Sequence, residues 1–163
     1  MINKIQIERL SLIASKSFDA VLASIEAAVA HPDMAEFFPS IQRAASVREM
    51  EDTINMAIGH AGLMLFAKFD HGDIIDKGVG NDGHQIVRLL IGNPLIMAAM
   101  ARKVPDAGSY APITVLIDER SDGVHLSYDR MSSLLAPYGS SEALRIASEL
   151  DAKIEALLQR AMA

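Results

Sequence analysis

The chain contains no cysteine and no tryptophan, and aromatic residues make up only 5% of it. Without thiols there can be no disulfide, no thiolate nucleophile, no Cys-ligated zinc and no Cys-ligated iron–sulfur cluster. Any metal would have to be held by imidazole and carboxylate groups. Positive charge is also scarce, with 15 Lys+Arg against 21 Asp+Glu and a formal charge of −6. That sign repels phosphate backbones and anionic membrane surfaces. No basic run is interleaved with Tyr or Phe to give a stacking platform for single strands, so neither a nucleic-acid nor a membrane partner is expected. Long hydrophobic runs are missing too. Residues 1–16 carry Glu8 and Arg9 inside their apolar stretch, unlike a signal peptide. The most apolar window, 89–101, is cut by Gly92-Asn93-Pro94 and is too short to span a bilayer. The expected location is the cytoplasm.

What is present suits one domain over 1–163. Half the residues are hydrophobic and 22% are charged, enough apolar matter for a single core without a disordered composition. Residues 5–13 are rich in strand formers. Ser17 is placed to cap a helix whose apolar residues Phe18, Val21, Leu22, Ile25 and Val29 recur at helical spacing until His31-Pro32. Residues 32–45, with two prolines around Phe37 and Phe38, predict a short helix or a folded-down connection with both phenylalanines buried. Ser46-Val47-Arg48-Glu49 fits a capping box. The helix it opens carries Val47, Met50, Ile54, Ile58 and Ala61 on one stripe, with Gly62 expected as its stop.

Residues 63–70 and 85–91 predict two strands separated by a polar, glycine-bearing loop. Asn93-Pro94 then supplies a cap and a first helical residue for a helix bearing Ile96, Met97, Met100 and Val104. Residues 113–119 and 124–128 flank Arg120-Ser121-Asp122-Gly123, a hairpin turn that calls for antiparallel pairing. A short helix near 131–136 and a long amphipathic one, Ser141–Met162, close the chain, the latter with Glu149 and Lys153 as a supporting pair. The expected class is α+β: a small, mostly antiparallel sheet packed by amphipathic helices, with an added C-terminal helix.

Several of these features occur together in a recognisable order. A strand runs into Asp70-His71, another ends in Gly92-Asn93-Pro94, Pro112 precedes a hydrophobic strand, and an Asp-Gly hairpin leads into Ser127-Tyr128-Asp129. Over 63–137 the chain therefore resembles the bacterial family called domain of unknown function 302. Ser17-Phe18-Asp19 is similar to the start of that family's first helix, and 32–62 stands out as a helical insertion. The resemblance implies a small α+β fold and a homodimer. It brings no reaction, cofactor or catalytic residue.

Chemistry-bearing side chains concentrate between 70 and 84: Asp70, His71, Asp73, Asp76, Asp82 and His84. Such a mixture can bind a divalent metal or move protons, but it has no EF-hand spacing, and polar loops carry such residues simply because they are solvated. Gly78-Val79-Gly80-Asn81-Asp82-Gly83 matches G-x-G-x-x-G, yet a strand rather than a helix follows it and Asp82 would repel phosphate, so it is read as a connection. Asn93 is explained by capping, with an anion beside the helix N-terminus and His71 as the alternative. Met97 and Met100 are read as core filler rather than haem ligands or a promiscuous binding surface. His125, alternating with Val124 and Leu126, is read as exposed or hydrogen-bonded. Tyr128 and Asp129 could reach the same edge as Asn93, against a bland reading with the phenol in water. No G-x-S-x-G elbow supports a serine nucleophile.

The function is open on this reading, and so is whether the chain is an enzyme; the cofactor is unknown and no metal site is assigned. The leading expectation is a homodimeric, non-catalytic module that binds or senses a small ligand through Asp70, His71, Asp73, His84, Asn93, Tyr128 and Asp129. The alternatives are a small enzyme using His/Asp acid–base or metal-assisted chemistry at 70–84, and a structural or protein-interaction dimer.

Overall fold

The computed structural model describes residue 2 and residues 4–79, 83 and 85–163. Strand β1 (Arg9–Ala14) leads into helix α1 (Phe18–Ala28). Ser17 caps α1 by accepting from the Ala20 N–H at 3.3 Å, and Phe18, Val21, Ile25 and Ala28 form its buried stripe. Helices α2 (Met34–Arg43) and α3 (Val47–Ala57) follow. The capping box at α3 forms: the Glu49 N–H donates to Ser46 Oγ at 3.1 Å, and Glu49 Oε2 accepts from the Ala45 N–H at 2.8 Å. Next come β2 (Met64–Asp70), α4 (Gly72–Val79), β3 (Ile86–Gly92), α5 (Pro94–Ala101) and α6 (Ala107–Tyr110). The hairpin β4 (Ile113–Arg120) and β5 (Gly123–Asp129) leads to α7 (Met131–Leu135), a 3-10 turn and the 22-residue α8 (Ser141–Met162).

The sheet order is β1-β5-β4-β3-β2, and each neighbouring pair is antiparallel. An α+β fold results, as the strand and helix signals required. One end of the sheet gathers Arg9, Asp129, Ile113, Gly92 and Met64; the other gathers Ala14, Gly123, Arg120, Ile86 and Asp70. At about 3.3 Å per residue, seven-residue strands hold these ends roughly 20 Å apart. On one face Val87, Leu89, Ile91, Ile113, Val115, Ile117, Val124, Leu126 and Tyr128 are buried in the main core, which includes residues of α1, α5 and α8. Helix α8 packs along α1, α5 and α7. A smaller cluster of Phe37, Ile54 and Met64 seats α2 and α3 beside β2.

Four local expectations are corrected. The stretch after β2 is not a plain loop: α4 occupies 72–79, with Asp70 Oδ1 accepting from the Asp73 N–H at 3.1 Å in its first turn. Short-range capping outcompetes the glycine and acid content that suggested a loop. Helix α3 ends at Ala57 rather than at Gly62, because Gly59 must lie against the backbone of α1's exit: a Cβ there would stand 2.7 Å from Ala30 N. Gly62 instead takes φ +71° in the turn that follows. Of the adjacent phenylalanines Phe37 is buried, but Phe38 is 48% exposed, since helical geometry points neighbours to different sides. On α8 the i,i+4 partner of Glu149 is Arg145, at 2.6 Å, not Lys153.

Candidate functional site

Three separate places receive the chemistry-bearing residues. At the β2 end of the sheet, Asp70 and Asp73 meet Asp19, Lys68 and Asp76 around a polar hollow of about 340 Å³. Lys68 is already paired with Glu26 at 2.8 Å. The His71 ring stacks on Phe69, with centroids 6.4 Å apart and planes 8° from parallel, and its backbone N–H donates to the Ile86 carbonyl. His84, together with Asp82 and part of the G-x-G-x-x-G match, lies outside the described residues. Among the described residues no group of three or more imidazole or carboxylate side chains is placed to hold a metal ion.

The second place is a buried polar network at the opposite end. Tyr128 is 1% exposed and its hydroxyl is not in water: it donates to Asp151 Oδ1 at 2.6 Å. Burial first, and then this hydrogen bond to the carboxylate, push the Tyr128 hydroxyl well above its ordinary 10.0. Asp151, on α8, also accepts from the backbone N–H groups of Met131 at 2.8 Å and Ser132 at 3.2 Å. It thereby satisfies orphan donors at the start of α7, whose own cap residue, Arg130, makes no side-chain capping bond. Arg130 stands 3.6 Å from Asp151 and bonds Glu155 at 2.5 Å. Asp129 forms a two-bond ion pair with Arg9, at 2.6 and 2.8 Å. These contacts account for Tyr128 and Asp129 as fold-building groups. His125 also has a structural partner: its Nε2 is 2.8 Å from Asp122 Oδ1.

The third place is a concave apolar pocket of about 190 Å³ beside Asn93. Its walls come from Phe38 of α2, Phe66 of β2, Met97 and Met100 of α5, Pro112 before β4 and Leu150 of α8. Local chemistry explains how these elements converge. Asn93 Oδ1 accepts from the Leu95 N–H at 2.8 Å, while Nδ2 donates to the Gly62 carbonyl at 3.1 Å, so one amide both starts α5 and ties it to the turn before β2. Pro94 occupies the first helical position, where no N–H is required. Gly92 forms part of the lining, and a Cβ there would lie 3.4 Å from Pro112 Cβ and 3.5 Å from Phe66 Cε2. Met100 is fully buried, as expected of filler, yet with Met97 it lines the hollow.

Of the seven expected site residues, then, Asn93 borders this pocket; Asp70, His71 and Asp73 lie at the far end of the sheet, Tyr128 and Asp129 are engaged elsewhere, and His84 lies outside the described residues. An anion shared by Asn93 and His71 is ruled out by that separation. Phe66, Pro112 and Leu150 were missed, since side chains from distant segments make a pocket only after the sheet closes. Asp151 did leave a trace: an acid on α8's apolar stripe between Leu150 and Ile154 marks a charge that must find donors.

The model of the family described as "Domain of unknown function DUF302" matches residues 40–161, wider at both ends than the stretch read from motifs. A solved structure, described as an uncharacterized conserved protein DUF302 from Bacillus stearothermophilus, superposes with a TM-score of 0.66. It is 12% identical, and the match covers 94% of this chain and 97% of that one. At that identity the likeness concerns the fold alone. None of the curated proteins matches the chain. Among the described residues no helix is long and apolar enough to cross a membrane.

Proposed function

From the premise that the chain belongs to the DUF302 family, whose description carries no reaction, we propose a homodimeric, non-catalytic module that binds or senses a small ligand in the pocket beside Asn93. The observation that carries this reading is the pocket itself. Five segments distant in sequence enclose it, and no acid, base or nucleophile is among its lining residues. Preformed apolar hollows with a few polar groups are where small molecules usually bind. The acid-rich hollow at the β2 end does not compete well, since its imidazole neighbour His71 is engaged with Phe69 and it is not among the residues lining that hollow.

A ligand that binds only the folded state raises the melting temperature in proportion to its occupancy. A thermal-shift screen of small molecules on the intact chain should give compounds whose effect disappears in Met97→Trp, which fills the pocket from α5. If no compound stabilises the protein, or if stabilisation survives the filled pocket, the reading fails.

Self-association is supported by the sheet face opposite the helices. Its central rung runs Phe69, Arg88, Leu116, Ser127, Ser11 across the strands, with the Arg9–Asp129 pair one rung away. Phe69 and Ile13 are 44% and 50% exposed there. Five strands about 4.8 Å apart and 20 Å long present a face of roughly 400–500 Å², about half of the ~800 Å² per partner of a standard interface, so the flanking loops would have to contribute the rest. The mixture of apolar side chains and both charge signs suits a second copy of the same face. Sedimentation at micromolar concentration should show a dimer that Leu116→Arg converts to monomer; a wild-type monomer would remove this part of the proposal.

A further inference from the structure

The pocket beside Asn93 has a chemical selectivity written into its lining. We infer that it takes an uncharged, hydrocarbon-like molecule of about one six-membered ring, an aromatic ring above all, and rejects the same ring bearing a carboxylate, phosphate or ammonium group. This inference rests on the preceding reading that the pocket is a binding site.

Size comes first. The hollow is about 190 Å³; an apolar cavity of about 150 Å³ is known to accept benzene. One ring with one or two further carbon atoms therefore fits inside it.

The polar inventory comes second. Neither a Lys, Arg or His nor an Asp or Glu lines the pocket. Its one amide side chain, Asn93, already spends its oxygen on the Leu95 N–H and one amide hydrogen on the Gly62 carbonyl. Two lining residues, Pro94 and Pro112, have no backbone N–H to offer. A carboxylate or phosphate placed here would lose its water and find almost no donor, and a buried unpaired charge is strongly disfavoured. An ammonium group would meet no counter-charge.

The apolar walls supply what a ring prefers. Phe38 and Phe66, whose ring centroids stand 6.3 Å apart with planes at 37°, both line the hollow and offer aromatic surface to a bound ring. Met97 and Met100, also in the lining, present adaptable side chains with polarisable sulfur, which contacts aromatic rings favourably. Phe38 is 48% exposed, so the pocket meets solvent on its side; a single hydroxyl there keeps part of its hydration, and the part it loses costs far less than it does for an ionised group.

The test uses four probes on the intact chain: toluene, p-cresol, benzoate and benzylamine. Binding is read by ligand-observed NMR and by thermal shift, in wild type, in Gly92→Ala and in Phe38→Ala. The Gly92→Ala methyl would meet its neighbours at ordinary contact distance, and Phe38 is half in water, so both variants should fold; urea unfolding checks that they do. The expected result is binding of toluene and p-cresol, with benzoate and benzylamine weaker by about tenfold or more. Toluene should weaken by roughly threefold or more in each variant, through lost volume in one and a lost wall in the other. Charged probes that bind as well as toluene and respond to the same variants would overturn the ligand class while leaving the pocket as a site. No binding by any probe, or binding indifferent to both variants, would overturn the class and the binding reading together.

Discussion

Replacing Asp151 with Asn tests the polar network most sharply, because every neighbour of that carboxylate is a donor. Oδ1 accepts from the Tyr128 hydroxyl and the Met131 N–H, and Oδ2 accepts from the Ser132 N–H, with Arg130 Nε 3.6 Å away. In Asp151→Asn the amide oxygen can keep the first two bonds, but in neutral form. The amide nitrogen then faces the Ser132 N–H, donor against donor. Hydrogen bonds to a charged group contribute about 1.5–3 kcal/mol against about 1 kcal/mol for neutral ones, and an orphaned donor costs about 1–3 kcal/mol. Against this, the amide escapes the carboxylate's desolvation cost. Arg130 keeps Glu155 and is a third exposed, so its loss is small. The net expectation is a destabilisation of roughly 2–4 kcal/mol. With a urea m-value of about 2 kcal/mol/M, the midpoint should fall by roughly 1–2 M. Far-UV circular dichroism at one fixed protein concentration holds any contribution from association equal for the two proteins. A loss below about 0.5 kcal/mol would refute the claim that Asp151 holds the start of α7.

Three further outcomes follow from the same geometry. Because the folded-state pKa of Tyr128 lies above its unfolded value of 10.0, its contribution is complete below pH 10 and is lost as the pH rises beyond that; wild type should lose stability there more steeply than Tyr128→Phe, as measured by urea midpoints across alkaline pH. Asn93→Ala removes both the α5 cap and the tie to Gly62 and should cost about 1–2 kcal/mol, more than the roughly 1 kcal/mol expected of Ser46→Ala at the exposed start of α3; equal losses would mean that the Gly62 bond contributes nothing. Ile154→Ala, at a fully buried α8 position, should cost about 2–5 kcal/mol in the same assay.

Much of the architecture was legible because its signals are local. Ser17, Ser46 and Asn93 each cap the helix expected of them, since a side chain that reaches a backbone N–H two or three residues on needs no tertiary context. The bounds of α8 and the hairpin at Asp122-Gly123 were readable for the same reason. The site was not. Adjacent antiparallel strands put the residue after β2 and the residue after β3 at opposite ends of the sheet, so His71 and Asn93 are parted although both follow a strand end.

The amino-acid sequence by itself determined most of the secondary structure, the α+β class and the family, because periodicity, caps and motif order are properties of short stretches; helix α4 and the end of α3 are the exceptions. Only the tertiary structure decided that Asp151 would meet Tyr128 and that Phe38, Phe66, Pro112 and Leu150 would enclose one hollow. Those contacts join residues far apart in the chain, and which strand ends become neighbours is fixed by sheet order and direction, not by the side chains that the ends carry.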